Sequence, residues 1–204
     1  MPAAKSGASA TTCCVRPDIL SVSPREVWRR IADYAAHPDP RVAACNLIAL
    51  IVVSNQPFYP LYVRWAVSPD IAPVFLTFLS TPFFAAVPAV SRRWGRLGRA
   101  LLPLTGMANV VVSAKAFGAN SGVAIFLVPC ALIAAALFRP SERWLALGVI
   151  GLALAIFLAL GSPSLVPLHR YTPGEYAAFA RLNALSASGL VVFVGFVLSG
   201  LAKA

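Results

Sequence analysis

This sequence predicts an all-α integral membrane protein with six transmembrane helices, and three observations predict it. Of its 204 residues, 59% are hydrophobic and only 12% are charged, whereas roughly a quarter of a soluble domain is charged. The mean hydropathy is +0.77. From Val42 onward the apolar runs are continuous, not alternating, with short polar breaks between them. Continuous runs favour helices over a barrel, because a helix satisfies its own backbone polar groups in lipid. Six spans of about 20 residues would use roughly 120 positions, leaving no room for a separate catalytic domain of ordinary size. Such hydropathy excludes a disordered tail, a collagen-like chain and a basic nucleic-acid-binding domain, despite the net charge of +10.

Residues 1–23 read as a disordered cytoplasmic leader rich in Ala, Ser, Thr and Gly, with no apolar stretch of signal-peptide type. Ser23-Pro24-Arg25-Glu26 is a capping box, so a short helix is expected from Pro24 to Ala36. Val27, Trp28, Ile31 and Ala35 share one face of it, while Arg25, Arg29, Arg30 and Asp33 point elsewhere. That pattern is amphipathic and basic and suits the inner headgroup surface. His37-Pro38-Asp39-Pro40 breaks the helix, making 24–41 a juxtamembrane unit ahead of a transmembrane domain over 42–201 and a tail at 202–204.

Six spans are expected: Val42 to Val63, interrupted by Gln56-Pro57 and Pro60; Ile71 to Val90; Ala100 to Phe117; a short fourth from Val123 to Phe138; Trp144 to Leu160; and Leu182 to Leu201. Between the fifth and sixth, Thr172-Pro173-Gly174-Glu175 repeats the capping logic. Tyr176, Phe179 and Leu182 follow at helical spacing, predicting a short helix on the outer surface, either a lid over an outer cavity or an interfacial anchor. With Trp65, Tyr171 would join an aromatic belt.

The bases sort by break. Lys5, Arg16, Arg25, Arg29, Arg30 and Arg41 precede the first span; Arg92, Arg93, Arg96 and Arg99 separate the second from the third; Arg139 and Arg143 separate the fourth from the fifth; Lys203 follows the sixth. Thirteen of the seventeen therefore lie on one side, against Arg64, Lys115, Arg170 and Arg181 on the other. Cytoplasmic segments retain Lys and Arg, so both termini are expected in the cytoplasm.

Motifs of chemistry are scarce. Asp70, Glu142 and Glu175 fall in loops or at span ends, so no ionisable group is expected near the midplane, where a coupled transporter places one. His37 and His169 belong to opposite faces, and His169 with Glu175 is the one weak acid–base pair. There is no phosphate-binding glycine motif and no zinc spacing. No cofactor or metal is expected. Cys13 and Cys14 cannot readily bridge each other, and Cys45 and Cys130 lie in apolar runs as small hydrophobes.

Polar residues near the spans supply the candidate ligand-binding positions. Asn109 and Ser113 are four apart on the third span and share a face turned to the bundle, for interhelical hydrogen bonding or for a ligand. Lys115 lies near the outer rim, and Asn120-Ser121-Gly122 makes the turn into the fourth span. His169 and Tyr171 complete the set on the long outer segment. On the sixth span, Gly189, Gly195 and Gly200 are candidate close-packing points.

Arg92-Arg93-Trp94-Gly95, Gly118-Ala119-Asn120-Ser121-Gly122 leading into Val123 to Pro129, and Phe138-Arg139-Pro140-Ser141-Glu142-Arg143-Trp144 carry a resemblance. Over 91–201 the chain resembles the six-span sensor module at the N-termini of bacterial class III adenylate or guanylate cyclases and of related histidine kinases. The resemblance implies a bacterial inner-membrane location, cytoplasmic termini, a homodimer, and a sixth helix that drives a cytoplasmic cyclase or kinase. This sequence departs by stopping at Ala204 without an output domain, so it is expected to be a sensor that works through a partner or a piece of a longer chain. A small-solute permease and an assembly subunit of a membrane complex are the alternative readings.

Overall fold

Pro57 and Pro60 interrupt the first apolar helix, whereas Pro88 and Pro103 sit inside helices that run on through them. The computed structural model describes residues 24–161 and 166–201, so the expected leader, Cys13, Cys14, the Ser23 cap and the expected tail lie outside the described residues. Among the described residues every regular element is helical. The chain divides into two units, Met1–Asp33 and Tyr34–Ala204. The first contributes most of α1, Pro24–Ala35, within which Arg30 donates to Glu26 at 2.9 Å one turn away.

In the second unit, α2 (Pro40–Asn55) starts at Asp39, whose carboxylate accepts from the Arg41 amide at 3.0 Å as a helix cap. Pro57 and Pro60 have no N–H to offer the carbonyls one turn earlier. The chain accordingly tightens into a 3₁₀ turn at Gln56–Phe58 before resuming as α3, Tyr59–Ala66. The expected interruption of the first span is thus a local rewinding, and Pro40–Ala66 still runs 27 residues as one apolar helix.

The second apolar stretch differs more from expectation, since Ala72–Ser80 is wound as nine residues of 3₁₀ helix before α4, Thr81–Arg93. Runs that long are uncommon. Here Thr77 Oγ1 donates to the Val74 carbonyl and Ser80 Oγ to the Thr77 carbonyl, both at 2.8 Å, bonds that suit the tighter winding. Only Trp94 separates α4 from α5, Gly95–Phe117. At about 1.5 Å per residue, its 23 residues reach roughly 35 Å.

A turn then reverses the chain through a 3₁₀ segment at Ala119–Ser121, flanked by Gly118 at φ 92° and Gly122 at φ 73°, values that L side chains rarely adopt. A second 3₁₀ segment, Val123–Phe126, leads into α6, Leu127–Leu137. A third, Pro140–Glu142, opens α7, Arg143–Leu160. The last helix, α8, is continuous from Pro173 to Leu201. The separate outer-surface helix expected before the sixth span does not form. The Thr172–Glu175 capping box is made, with Thr172 N donating to Glu175 Oε2 at 2.8 Å and Glu175 N to Thr172 Oγ1 at 3.3 Å. It caps one 29-residue helix, because no breaker follows between Tyr176 and Leu182.

Five of these helices are long and apolar enough to cross a membrane, and a sixth apolar helix, Val123–Leu137, is shorter. Buried side chains form two clusters. One holds Val63, Met107, Val110, Phe117 and Phe179, with the Phe117 and Phe179 rings stacked at 5.1 Å; the other joins Ile48, Leu102, Ile133, Leu137 and Val194. In lipid such contacts hold by close packing rather than by expulsion of water. Cys45 and Cys130 are free and buried in these clusters. Gly189, Gly195 and Gly200 meet nothing within 4 Å of an added Cβ, so the close packing expected of them is absent within the described chain.

Candidate functional site

The bundle encloses a cavity of about 640 Å³, within the ~300–1,000 Å³ range of small-molecule sites. Its walls come from α2, the Gln56–Phe58 turn, α3, the 3₁₀ segments at Ala72–Ser80 and Val123–Phe126, α4, α5, α6 and α8, with Phe84, Leu102, Ile133 and Phe193 among the apolar lining. None of the lining residues among those described is Asp, Glu, Lys, Arg or His.

One wall is polar and belongs to the broken helices. Gln56 is buried; its Nε2 donates to Ser80 Oγ at 2.8 Å and to the Thr77 carbonyl at 3.3 Å, while its Oε1 accepts from Thr81 Oγ1 at 2.7 Å. Ser80 Oγ also lies in donor reach of Asn109 Oδ1, 3.1 Å away on α5. The polar atoms of Gln56 and Ser80 thereby each have a partner, as burial requires. Nearby, Tyr59 Oη donates to Asn183 Oδ1 and Asn183 Nδ2 to the Ser121 carbonyl, both at 2.9 Å, tying α3 and α8 to the Gly118–Gly122 turn.

The seven positions expected to bind a ligand separate in space. Asn109 and Ser113 line the cavity. Ser121 is buried, but its Oγ donates to the Gly118 carbonyl at 2.6 Å and its role is to close the turn. Asn120 is exposed. Lys115 is exposed at the end of α5, where its Nζ donates to the Val166 carbonyl at 2.7 Å. His169 does not pair with Glu175, which is taken by the Thr172 cap; its Nε2 lies 3.4 Å from Asp70 Oδ2. Tyr171 is no belt residue either. It is 7% exposed, packs edge-on to Phe179 at 5.0 Å and donates from Oη to the Asp70 carbonyl at 2.9 Å, whereas Trp65 is 90% exposed. Burial, followed by the nearby carboxylates of Asp70 and Glu175, pushes the Tyr171 phenol up to about 12, so it remains a donor at neutral pH. His37 lies at the other end of the bundle, its Nδ1 accepting from the Asp39 amide at 3.0 Å.

That other end holds a group the sequence reading missed. Arg99, expected in a loop, is on α5 and 3% exposed; Glu142, expected at a span end, is 6% exposed. Their guanidinium and carboxylate meet in a two-pronged pair at 2.8 and 3.1 Å. Arg99 also donates to the Leu137 carbonyl at 2.8 Å, Arg96 reaches Glu142 from the exposed side at 2.8 Å, and the Arg139 amide donates to Glu142 at 3.0 Å. Beside it Arg139 pairs with Asp39 at 2.6 Å, and Arg41 donates to the Phe138 carbonyl at 2.6 Å. The signal was present: Arg99, Leu102 and Gly106 share a helix face, and Glu142 is the one acidic residue between positions 71 and 174.

Fold and cavity together define a class, an all-helical protein with apolar helices suited to a multi-pass membrane setting and an uncharged pocket inside the bundle. No known protein family, curated protein or solved structure matches the chain.

Proposed function

We propose that this chain is a receptor-like membrane module with six spans and both ends in the cytoplasm of a bacterial cell, binding a small or lipophilic cue in its cavity and transmitting through α8. The observation that carries this reading is the shared wall. α8 contributes Ser186, Gly189, Leu190 and Phe193 to the same cavity that Asn109 and Ser113 of α5 face. A ligand that fits one arrangement of these helices better than another shifts the population between them. α8 is unbroken over 29 residues, so a rotation at the cavity reaches its far end. There it would act on a second copy or on a cytoplasmic cyclase or kinase. The uncharged lining offers no acid, base or nucleophile pair, which suits recognition without chemistry. The clustering of Arg41, Arg92, Arg93, Arg96, Arg139 and Arg143 at one end supports the cytoplasmic assignment.

The test places spin labels at Leu198 and Ser141, which flank one groove at the arginine-rich end, in lipid nanodiscs. Adding 1-hexadecanol is expected to change the distance distribution between them. An unchanged distribution at saturating alcohol refutes transmission through α8. A permease is the second reading, favoured by the Gln56–Phe58 break that lines the cavity. It requires faster uptake of a small solute such as radiolabelled glycerol into vesicles holding the protein than into empty ones.

A further inference from the structure

We infer that the cavity takes a neutral amphipath, its single acceptor oxygen held inside by Asn109 and Ser113 and its hydrocarbon tail leaving sideways into the bilayer between the Gln56–Phe58 break and α8. The inference rests on the receptor reading for its purpose but on separate observations for its chemistry. The first is charge. With no Asp, Glu, Lys, Arg or His among the described lining residues, an ion inside would be stripped of water without a counter-charge, which costs far more than burying a hydroxyl or carbonyl. The ligand is therefore uncharged.

The second observation is a pair of unused donors. Ser113 is 1% exposed and lines the cavity, yet among the described residues no partner is found for its hydroxyl. Asn109 has one side-chain contact, its Oδ1 against the Ser80 hydroxyl, whose single proton the Thr77 carbonyl also competes for, and no partner is found for its Nδ2 among the described residues. Four residues apart on α5, the two side chains are neighbours on one face. Two convergent donors recognise an acceptor oxygen, a hydroxyl or a carbonyl, and a ligand lacking one would leave them buried and unpaired.

The third observation is where the cavity opens. Its exposed lining residues are Ser54, Asn55, Phe58 and Tyr62 on one side and Gly189 on the other. Asn55 lies 15 residues after Pro40, and Gly189 lies 16 after Pro173 and 12 before Leu201, so at about 1.5 Å per residue both sit roughly 18–24 Å from the helix ends. The mouth is at mid-depth and faces hydrocarbon. An exposed asparagine without a partner among the described residues is costly there, and a polar group passing through the mouth gives it one.

A 16-carbon alcohol carrying a diazirine and an alkyne is the probe, applied to the full chain in nanodiscs and read by mass spectrometry of the labelled peptides. Labelling is expected within α5 and α8 and is expected to fall at least fivefold under excess unlabelled 1-hexadecanol, a measurement that needs no variant. Gly189→Phe fills the mouth, where nothing lies within 4 Å of an added Cβ, and should cut labelling about tenfold. Asn109→Leu with Ser113→Ala should weaken it three- to tenfold. Labelling that resists competition, or that Gly189→Phe leaves unchanged, overturns the site. Equal labelling by the matching 16-carbon carboxylate at pH 8 overturns the neutral class. Specific labelling by the alcohol with no spin-label shift upholds the ligand class and removes only the receptor reading.

Discussion

Glu142→Ala is expected to destabilise the chain by about 3 kcal/mol. The Glu142 and Arg99 side chains are 5% and 4% exposed and meet through two bonds. Deleting the carboxylate leaves the guanidinium buried with only the Leu137 and Gly95 carbonyls to receive its protons. Removing one partner of such a pair costs ~3–5 kcal/mol, and the lower figure applies because the pair closes an end of the bundle instead of its middle. For a chain of this size, each kcal/mol corresponds to roughly 2–4 °C in melting temperature, so the expected loss is about 6–12 °C. Thermal unfolding of purified protein, followed by tryptophan fluorescence, measures it. The double variant Arg99→Met with Glu142→Leu removes both charges and should recover at least half of the loss, as apolar replacements of buried pairs do. A Glu142→Ala shift below about 3 °C, or a double variant no better than the single, would refute the assignment of a desolvated pair.

Three further outcomes follow from the geometry. Gly118→Ala should cost about 2–3 kcal/mol, since φ 92° with ψ 150° is nearly closed to other residues and the new Cβ would lie 2.9 Å from Tyr176 Oη; Gly189→Ala in the same melting assay should be neutral or slightly stabilising. Asn183→Leu removes the link between Tyr59 and the Ser121 carbonyl and should cost ~1–3 kcal/mol, with Tyr59→Phe in the variant background recovering part of it. Asp39 feels burial, which raises its pKa, but the side-chain bond from Arg139, the Arg41 amide and the charges of Arg139 and Arg99 outweigh that and hold the carboxyl below its ordinary 3.8. A depressed carboxyl stabilises the fold above its ordinary range, and that contribution is lost as pH falls through the depressed value. Melting temperature should therefore drop on the acid side of about pH 4, less steeply in Asp39→Asn, and an identical acid limb in both proteins would contradict the pairing.

Hydropathy made the helices legible because lipid imposes one requirement on every span, and the breaks at Pro57, Pro60 and the Gly118–Gly122 turn announced themselves through residues with restricted or unusual backbones. The long 3₁₀ run at 72–80 did not. Its winding depends on Thr77 and Ser80 bonding back to their own helix, and hydroxyls in an apolar run look alike whether they do so or face a neighbour. The capping box at Thr172 was read correctly as a start, but a start says nothing about where the helix ends, and α8 simply continues. Position-by-position sorting of the bases located the arginine-rich end and hid Arg99, because a count of charges treats a buried arginine and an exposed one alike. Half of the polar wall, Asn109 and Ser113, was visible from spacing on one helix. The other half, Gln56 and Ser80, comes from two different segments, and only folding brings them together.

The stretch after α7 also terminates α5. The Leu168 and His169 amides donate to the Lys115 and Ala116 carbonyls at 2.8 and 3.1 Å, and Lys115 reaches back to Val166, so carbonyls that a helix end ordinarily leaves to solvent are received by a later part of the polypeptide. Epitope tags or protease sites inserted between Val166 and Tyr171 would consequently unzip the third span's last turn along with the local backbone. A tag placed near the exposed Trp65 avoids that damage, and the 166–171 stretch is better mapped by point labels than by insertions.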